Sequence, residues 1–172
     1  MNETNRTKRL VLVALAIALT FVLTRFTQIP IPFGYMHFGN VAILFASAYL
    51  GPVPGLLAAA LGSGLADLTS FPVWTIPTII IKGLMGWTCA IIIGKGFKSL
   101  NLKSARVILG NISAIVIMVV GYFIAGAIMY GGWVASATQL PGLVFEGVAA
   151  IVLFFIIANV LEKARVIRLL EK

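Results

Sequence analysis

HFGNVAILFASAYLGPVPGLLAAALGSGLADLTSFP, residues 37–72, holds two apolar runs divided by Gly51-Pro52-Val53-Pro54 and closed by Ser70-Phe71-Pro72. A helix needs about 20 apolar residues to cross a hydrocarbon core ~30 Å thick at ~1.5 Å per residue. The two runs, residues 38–50 and 55–69, fall short of that length. They are either two short spans or one re-entrant hairpin, and both readings leave the flanking segments on the same sides. Four further apolar runs lie outside them. Residues 10–27 end before Pro30 and Pro32; residues 77–93 open on Pro77, a good first-turn residue; residues 107–130 and 141–161 complete the set. The expectation is an all-α integral membrane fold, a compact bundle of six transmembrane helices forming one domain over residues 1–172, with both termini cytoplasmic.

Composition agrees. Of 172 residues, 60% are hydrophobic and only 10% charged, with a mean hydropathy of +1.07. A water-soluble domain carries roughly a quarter charged residues, so this chain lacks the polar surface to face water on all sides. The net charge of +8 is better explained by topology than by nucleic-acid binding. Arg6, Lys8 and Arg9 precede the first span, Lys95, Lys98, Lys103 and Arg106 lie between the fourth and fifth, and Lys163, Arg165, Arg168 and Lys172 follow the sixth. Six spans put all of these on one side, the cytoplasmic one by the positive-inside rule, where they also suit anionic lipid. Met1-Asn2-Glu3-Thr4 and the long run after it read as a retained span, not a cleaved signal. Residues 161–172 alternate charge with Leu and Ile, as a helix running on along the membrane surface would.

Several chemistries are excluded. One Cys and one His build neither a structural zinc site nor a disulfide framework, and no metal or cofactor is expected. The nearest fragment of a phosphate-binding loop, Gly94-Lys95-Gly96, lacks the upstream Gly and the Ser/Thr, so this chain is not expected to hydrolyse ATP by itself. A membrane enzyme would have only Asp67 and Glu146 as a carboxylate pair, with no nucleophile motif beside them.

Five ionisable residues remain at membrane depth or its outer edge: Arg25, His37, Asp67, Lys82 and Glu146. Each costs roughly 2.5–3.5 kcal/mol to insert and so faces a cavity or a partner. Asp67, Lys82 and Glu146 sit at one level on three spans, which suggests a polar pocket open to the outside. Asp67 with Lys82 reads equally as a structural ion pair or as ligand contacts, and Glu146 is otherwise accounted for by the dipole of its helix start. Arg25 reads as snorkelling to headgroups, and His37 as a pocket donor or interfacial residue. The segment from Gln28 to Asn40, rich in Pro, Gly and aromatics, is long enough to fold over the pocket as a lid. Trp74, Tyr130 and Trp133 read first as an interface belt, although stacking aromatics also suit a small heterocycle. Small residues four apart occur at Ala14/Ala18, Ala58/Gly62/Ala66 and Gly121/Ala125, and in lipid these let helices approach closely.

Residues 37–68, with G-P-x-x-G and A-L-G-S-x-L-A-D-L, followed by P-T-I-I-I-K-G-L-M-G at 77–86, resemble the substrate-binding S components of energy-coupling-factor (ECF) vitamin transporters. The chain is most similar to the riboflavin-transporter-like branch, which includes hydroxymethylpyrimidine or pyridoxine and pantothenate carriers. The resemblance implies a multi-pass protein of the bacterial cell membrane that binds a water-soluble vitamin under the first loop. It also implies docking on a membrane T component with two cytosolic ATPases, through an A-x-x-x-A motif matched by Ala14 and Ala18. Joined to the residue reading, it makes Asp67 and Lys82 the expected substrate contacts, with Glu146, His37, Asn40 and Tyr35 or Trp133 beside them. Hydroxymethylpyrimidine or pyridoxine is the expected substrate; pantothenate, riboflavin, or a stand-alone proton-coupled carrier are the alternatives.

Overall fold

The computed structural model describes residues 3–94 and 99–166. Lys95, Lys98, Arg168 and Lys172, the second and third residues of the Gly94-Lys95-Gly96 fragment, and the end of the expected surface helix lie outside them.

Breaker residues cut the chain where their backbone chemistry requires. Helix α1 covers Glu3–Phe26 and stops ahead of Pro30. A two-stranded antiparallel hairpin follows, β1 Ile29–Ile31 and β2 Gly34–Met36. Helix α2 runs over Gly39–Leu50 and α3 over Pro52–Ser70. Between them Gly51 takes φ +96°, which favours glycine, and Pro52 starts the next helix where its missing N–H is harmless. A tight turn at Pro72–Trp74 leads into α4, Thr75–Ile93, which ends at Gly94 in the left-handed conformation. Helix α5 is Ala105–Met129, α6 the short Trp133–Ala137, and α7 Leu140–Lys163.

Five of these segments are long and apolar enough to cross a membrane; α2 is the shorter sixth, about 18 Å at ~1.5 Å per residue. The expected six-helix bundle is present, with α2 and α3 as separate helices joined at Gly51. The hairpin and α6 were not anticipated. Residues 164–165 form a turn, so the expected continuation of the last helix is interrupted after Lys163. Arg165 has φ +56°, a left-handed backbone that ends the helix there.

The core sits among α2, α4, α5 and α7, around Ile43, Leu44, Met85, Met118 and Phe154, all fully buried. Helices α3 and α4 meet almost backbone to backbone. A Cβ on Gly55 would stand 2.9 Å from the Ser47 Cα and 3.0 Å from the Gly86 carbonyl oxygen, which is why small residues line this seam. Widened π-helical turns occur at Ala46–Leu50 and Ala58–Gly62, the second packed against both α1 and α4.

One knot closes the end away from the hairpin. The Glu162 carboxylate accepts hydrogen bonds from the Tyr49 hydroxyl at 3.1 Å, from the Leu100 N–H at 2.8 Å and from the Ser99 hydroxyl. It thus ties α7 to the end of α2 and to the α4–α5 connection. Glu162→Ala is expected to cost about 2 kcal/mol, since three donors lose a charged acceptor. Thermal unfolding in detergent checks this, with a midpoint about 5 °C lower than wild type; an unchanged midpoint would show that water replaces the carboxylate without loss.

Candidate ligand-binding site

The hairpin is a lid built by local chemistry. Pro32-Phe33 forms its two-residue turn, and Phe33 has φ +61° where a turn of this kind usually carries Gly. The unfavourable backbone is offset by two contacts. The Phe33 ring stacks on Tyr130 with centroids 4.4 Å apart, and its carbonyl accepts the Trp74 indole N–H at 2.8 Å. The next inward residue, Tyr35, donates its hydroxyl to Asp67 Oδ1 on α3. Burial, reinforced by that carboxylate, pushes the phenol above its ordinary range, so it remains a donor.

Beneath the lid lies a cavity with about 400 Å³ of space between its wall atoms, mouth included. The hairpin side contributes Ile31, Phe33, Gly34, Tyr35 and His37; the helices and the turns that join them contribute Asp67, Trp74, Lys82, Tyr122, Gln139, Leu143 and Glu146.

Asn40 organises the floor. Its Oδ1 accepts from Lys82 Nζ at 2.6 Å and its Nδ2 donates to Glu146 Oε1 at 2.5 Å, while Lys82 and Glu146 stand 3.7 Å apart. Lys82 is 1% exposed and Glu146 5%. Groups so far out of water persist as a pair only when both are hydrogen-bonded, which the carboxamide provides. The Met118 sulfur adds weak contacts to Asn40 at 3.0 Å and to Lys82 at 3.3 Å.

His37 completes the cluster. Its Nδ1 accepts the Gly39 N–H at 3.0 Å, which fixes the proton on Nε2, 3.6 Å from Glu146 Oε1. Burial first, then the Lys82 charge, holds this imidazole well below the usual histidine range. A depressed histidine contributes its full stability above the unfolded value of ~6.5 and loses it as pH falls. Between about pH 7 and pH 5 the unfolding midpoint of the ligand-free protein is therefore expected to shift downward relative to that of His37→Gln, which lacks this contribution. Parallel pH profiles for the two proteins would remove His37 as the cause.

The structure thus brings Asp67, Lys82, Glu146, His37, Asn40 and Tyr35 into one region. Two readings are corrected. Of the two alternatives for Asp67 with Lys82, the ion pair is not formed: Lys82 pairs with Glu146, directly at 3.7 Å and through Asn40, while Asp67 takes the Tyr35 hydroxyl on the lid. Trp133 is 58% exposed and packs on Phe123, away from the cavity wall. In its place Trp74, expected in the interface belt, is 4% exposed and stands in the wall, with Tyr122 5.4 Å from its ring. Arg25 lies over the neighbouring Phe26 ring at 5.8 Å and takes no part in the cavity wall. Gln139 and Tyr122 are cavity residues that the sequence reading missed, and Phe33 was expected only as part of the lid segment; beside Ser136 and Thr138, nothing in the sequence set Gln139 apart.

A family model described as "ECF-type riboflavin transporter, S component" matches residues 4–163. The chain belongs to this family. Among its relatives, the thiamine precursor transporter HmpT of Lactococcus lactis subsp. cremoris is 30% identical over 159 residues, 90% of this chain and 86% of that one. A Pyrococcus woesei protein, described only as an uncharacterized protein in the gap 3' region, is 35% identical over 112 residues, 64% of this chain and 72% of that one. A solved S component of a bacterial ECF transporter superposes with a TM-score of 0.72 at 22% identity, covering 92% of this chain and 97% of the other. It shares the fold. As an ECF S component, this multi-pass membrane protein is a transporter subunit and not an enzyme; it binds a vitamin-type substrate and docks on a T component and ATPases.

Proposed function

We propose that this S component captures hydroxymethylpyrimidine, or a close amino-substituted pyrimidine, in the cavity beneath the hairpin. The observation that carries the reading is the composition of the wall: the rings of Phe33, Tyr35, Trp74 and Tyr122 surround Asp67, Glu146 and a single Lys82. Aromatic plates grip a flat heterocycle, and the carboxyl groups accept from its amino and hydroxyl hydrogens. A ligand carboxylate such as that of pantothenate would meet two acidic side chains and one amine already engaged by Asn40 and Glu146. The thiamine-precursor relative supports a pyrimidine. Riboflavin is the second reading, favoured by the description of the family model.

The cavity faces outward in this proposal. The described basic residues Arg6, Lys8, Arg9, Lys103, Arg106, Lys163 and Arg165 fall at the opposite end of the antiparallel helices, so the positive-inside rule puts that end and both termini in the cytoplasm. Ala14 and Ala18, exposed on α1, form the docking face for the T component, and two cytosolic ATPases supply the energy. A stand-alone proton-coupled carrier would keep importing without those subunits; this protein is expected to stop.

Binding to the purified protein tests the substrate. Hydroxymethylpyrimidine, pyridoxine, pantothenate and riboflavin are compared by thermal shift and calorimetry. A ligand at 100 times its Kd adds about 2.7 kcal/mol of apparent stability. Stabilisation by hydroxymethylpyrimidine alone is expected. Stabilisation by riboflavin alone would move the assignment to the second reading, and no response to any of the four would sink both.

A further inference from the structure

We infer that Gln139 reads the ligand through its side-chain carbonyl, held toward the cavity to accept a hydrogen bond from a ring-borne amino or hydroxyl group; this rests on the pyrimidine reading above. Gln139 stands between α6 and α7, is 2% exposed, and lines the cavity with Tyr122, Trp74 and Leu143. The orientation of its amide follows from a directed chain of bonds. Ser136 Oγ donates to the Phe123 carbonyl at 2.7 Å, which leaves its lone pairs for the Gln139 amide, and Nε2 donates to it at 2.9 Å. The same Nε2 reaches the Tyr122 carbonyl at 3.3 Å. Turning the amide over would set its oxygen against that carbonyl, acceptor facing acceptor, so only one orientation satisfies the surroundings.

With the nitrogen spent on the protein, the oxygen is left. Among the described residues no donor bonds to Gln139 Oε1. The wall's own side-chain donors face other partners: the Trp74 N–H the Phe33 carbonyl, Lys82 Asn40, the Tyr35 hydroxyl Asp67, the Tyr122 hydroxyl Thr78, and His37 Nε2 Glu146. This oxygen is not closed off as the fully buried unpaired polar atoms are, so it is open to the cavity, where a bound N–H or O–H takes the place of water. A glycine on α5 makes room for the arrangement. A Cβ on Gly126 would lie 2.6 Å from Ser136 Oγ and would collide with the Gln139 amide nitrogen as well. Gln139 is then a specificity residue, and Ser136 a positioning residue that acts through it.

The test is calorimetry on the full-length protein in detergent with three probes: hydroxymethylpyrimidine, its des-amino analogue, and the analogue with methyl in place of hydroxymethyl. Wild type is expected to bind one analogue at least ~10-fold more weakly than the parent. Gln139→Leu is expected to lose a similar factor with the parent compound and nothing further with that same analogue, because donor and acceptor are lost together. Ser136→Ala, which keeps Gln139 but frees its amide, is expected to fall between and to serve where Gln139→Leu unfolds. Wild-type binding combined with parent affinities within twofold in Gln139→Leu, or in Ser136→Ala where it alone folds, overturns the inference and leaves the pyrimidine reading standing. So do penalties for protein and ligand changes that simply multiply. Wild type that binds no pyrimidine overturns both.

Discussion

Lys82→Met is expected to weaken ligand binding at least ~100-fold and to destabilise the ligand-free protein by about 3–5 kcal/mol. The side chain is 1% exposed and stands 3.7 Å from Glu146, with Asn40 bridging them at 2.6 and 2.5 Å. Removing the amine leaves Glu146 buried without its counter-charge and the Asn40 carbonyl without its donor. Methionine itself fits beside Met118, so the loss is electrostatic and not a packing defect. That argument makes a second, sharper expectation. Lys82→Met combined with Glu146→Leu removes both buried ionisable groups and should recover most of the unfolding midpoint while leaving binding abolished. Thermal unfolding and calorimetry on the two variants decide it. If the double variant is no more stable than the single one, the pair does not act as a unit and the cavity floor is held together by something else.

Ala18→Trp on α1 is expected to abolish uptake and co-purification with the T component while ligand affinity stays within twofold of wild type. The physical basis is separation of surfaces. Val11, Ala14, Leu15, Ala18 and Val22 are exposed along α1, and few of the helix's residues are buried in the bundle. Ala14 and Ala18 lie with Ile17, Phe21, Leu65 and Thr69 around a shallow apolar groove on the outside of the bundle. An indole there fills the groove against any approaching helix, where close approach depends on small side chains. None of these residues belongs to the cavity wall. Ala14→Trp should behave the same way, and exposed Leu10→Trp, away from that groove, should not. Normal uptake by Ala18→Trp would remove this face of α1 as the docking surface; lost binding would show that the substitution reaches the cavity.

The membrane class, the helix breaks and the clustering of basic residues at one end were legible in the sequence. Each follows from a local cost: an apolar run long enough to cross lipid, a Pro that cannot continue a helix, a charge kept out of hydrocarbon. The level of Asp67, Lys82 and Glu146 was legible for the same reason, because depth along a helix is a matter of counting residues. Which of them touch was not. In a water-soluble bundle the polar face of each helix reveals its rotation, but here the lipid-facing and buried faces are both apolar, so periodicity says little about which way a side chain points. The π turn at Ala58–Gly62 adds a residue ahead of Asp67 and changes its phase on α3, and nothing in that run of alanines announces it. Tertiary packing therefore decided that Lys82 meets Glu146 through Asn40, that Trp74 turns inward while Trp133 stays outside, and that Phe33 takes a strained turn to seat its ring on Tyr130. It also placed Gln139 in the wall, through a chain of hydrogen bonds between α5 and α6 that exists only once those helices have packed.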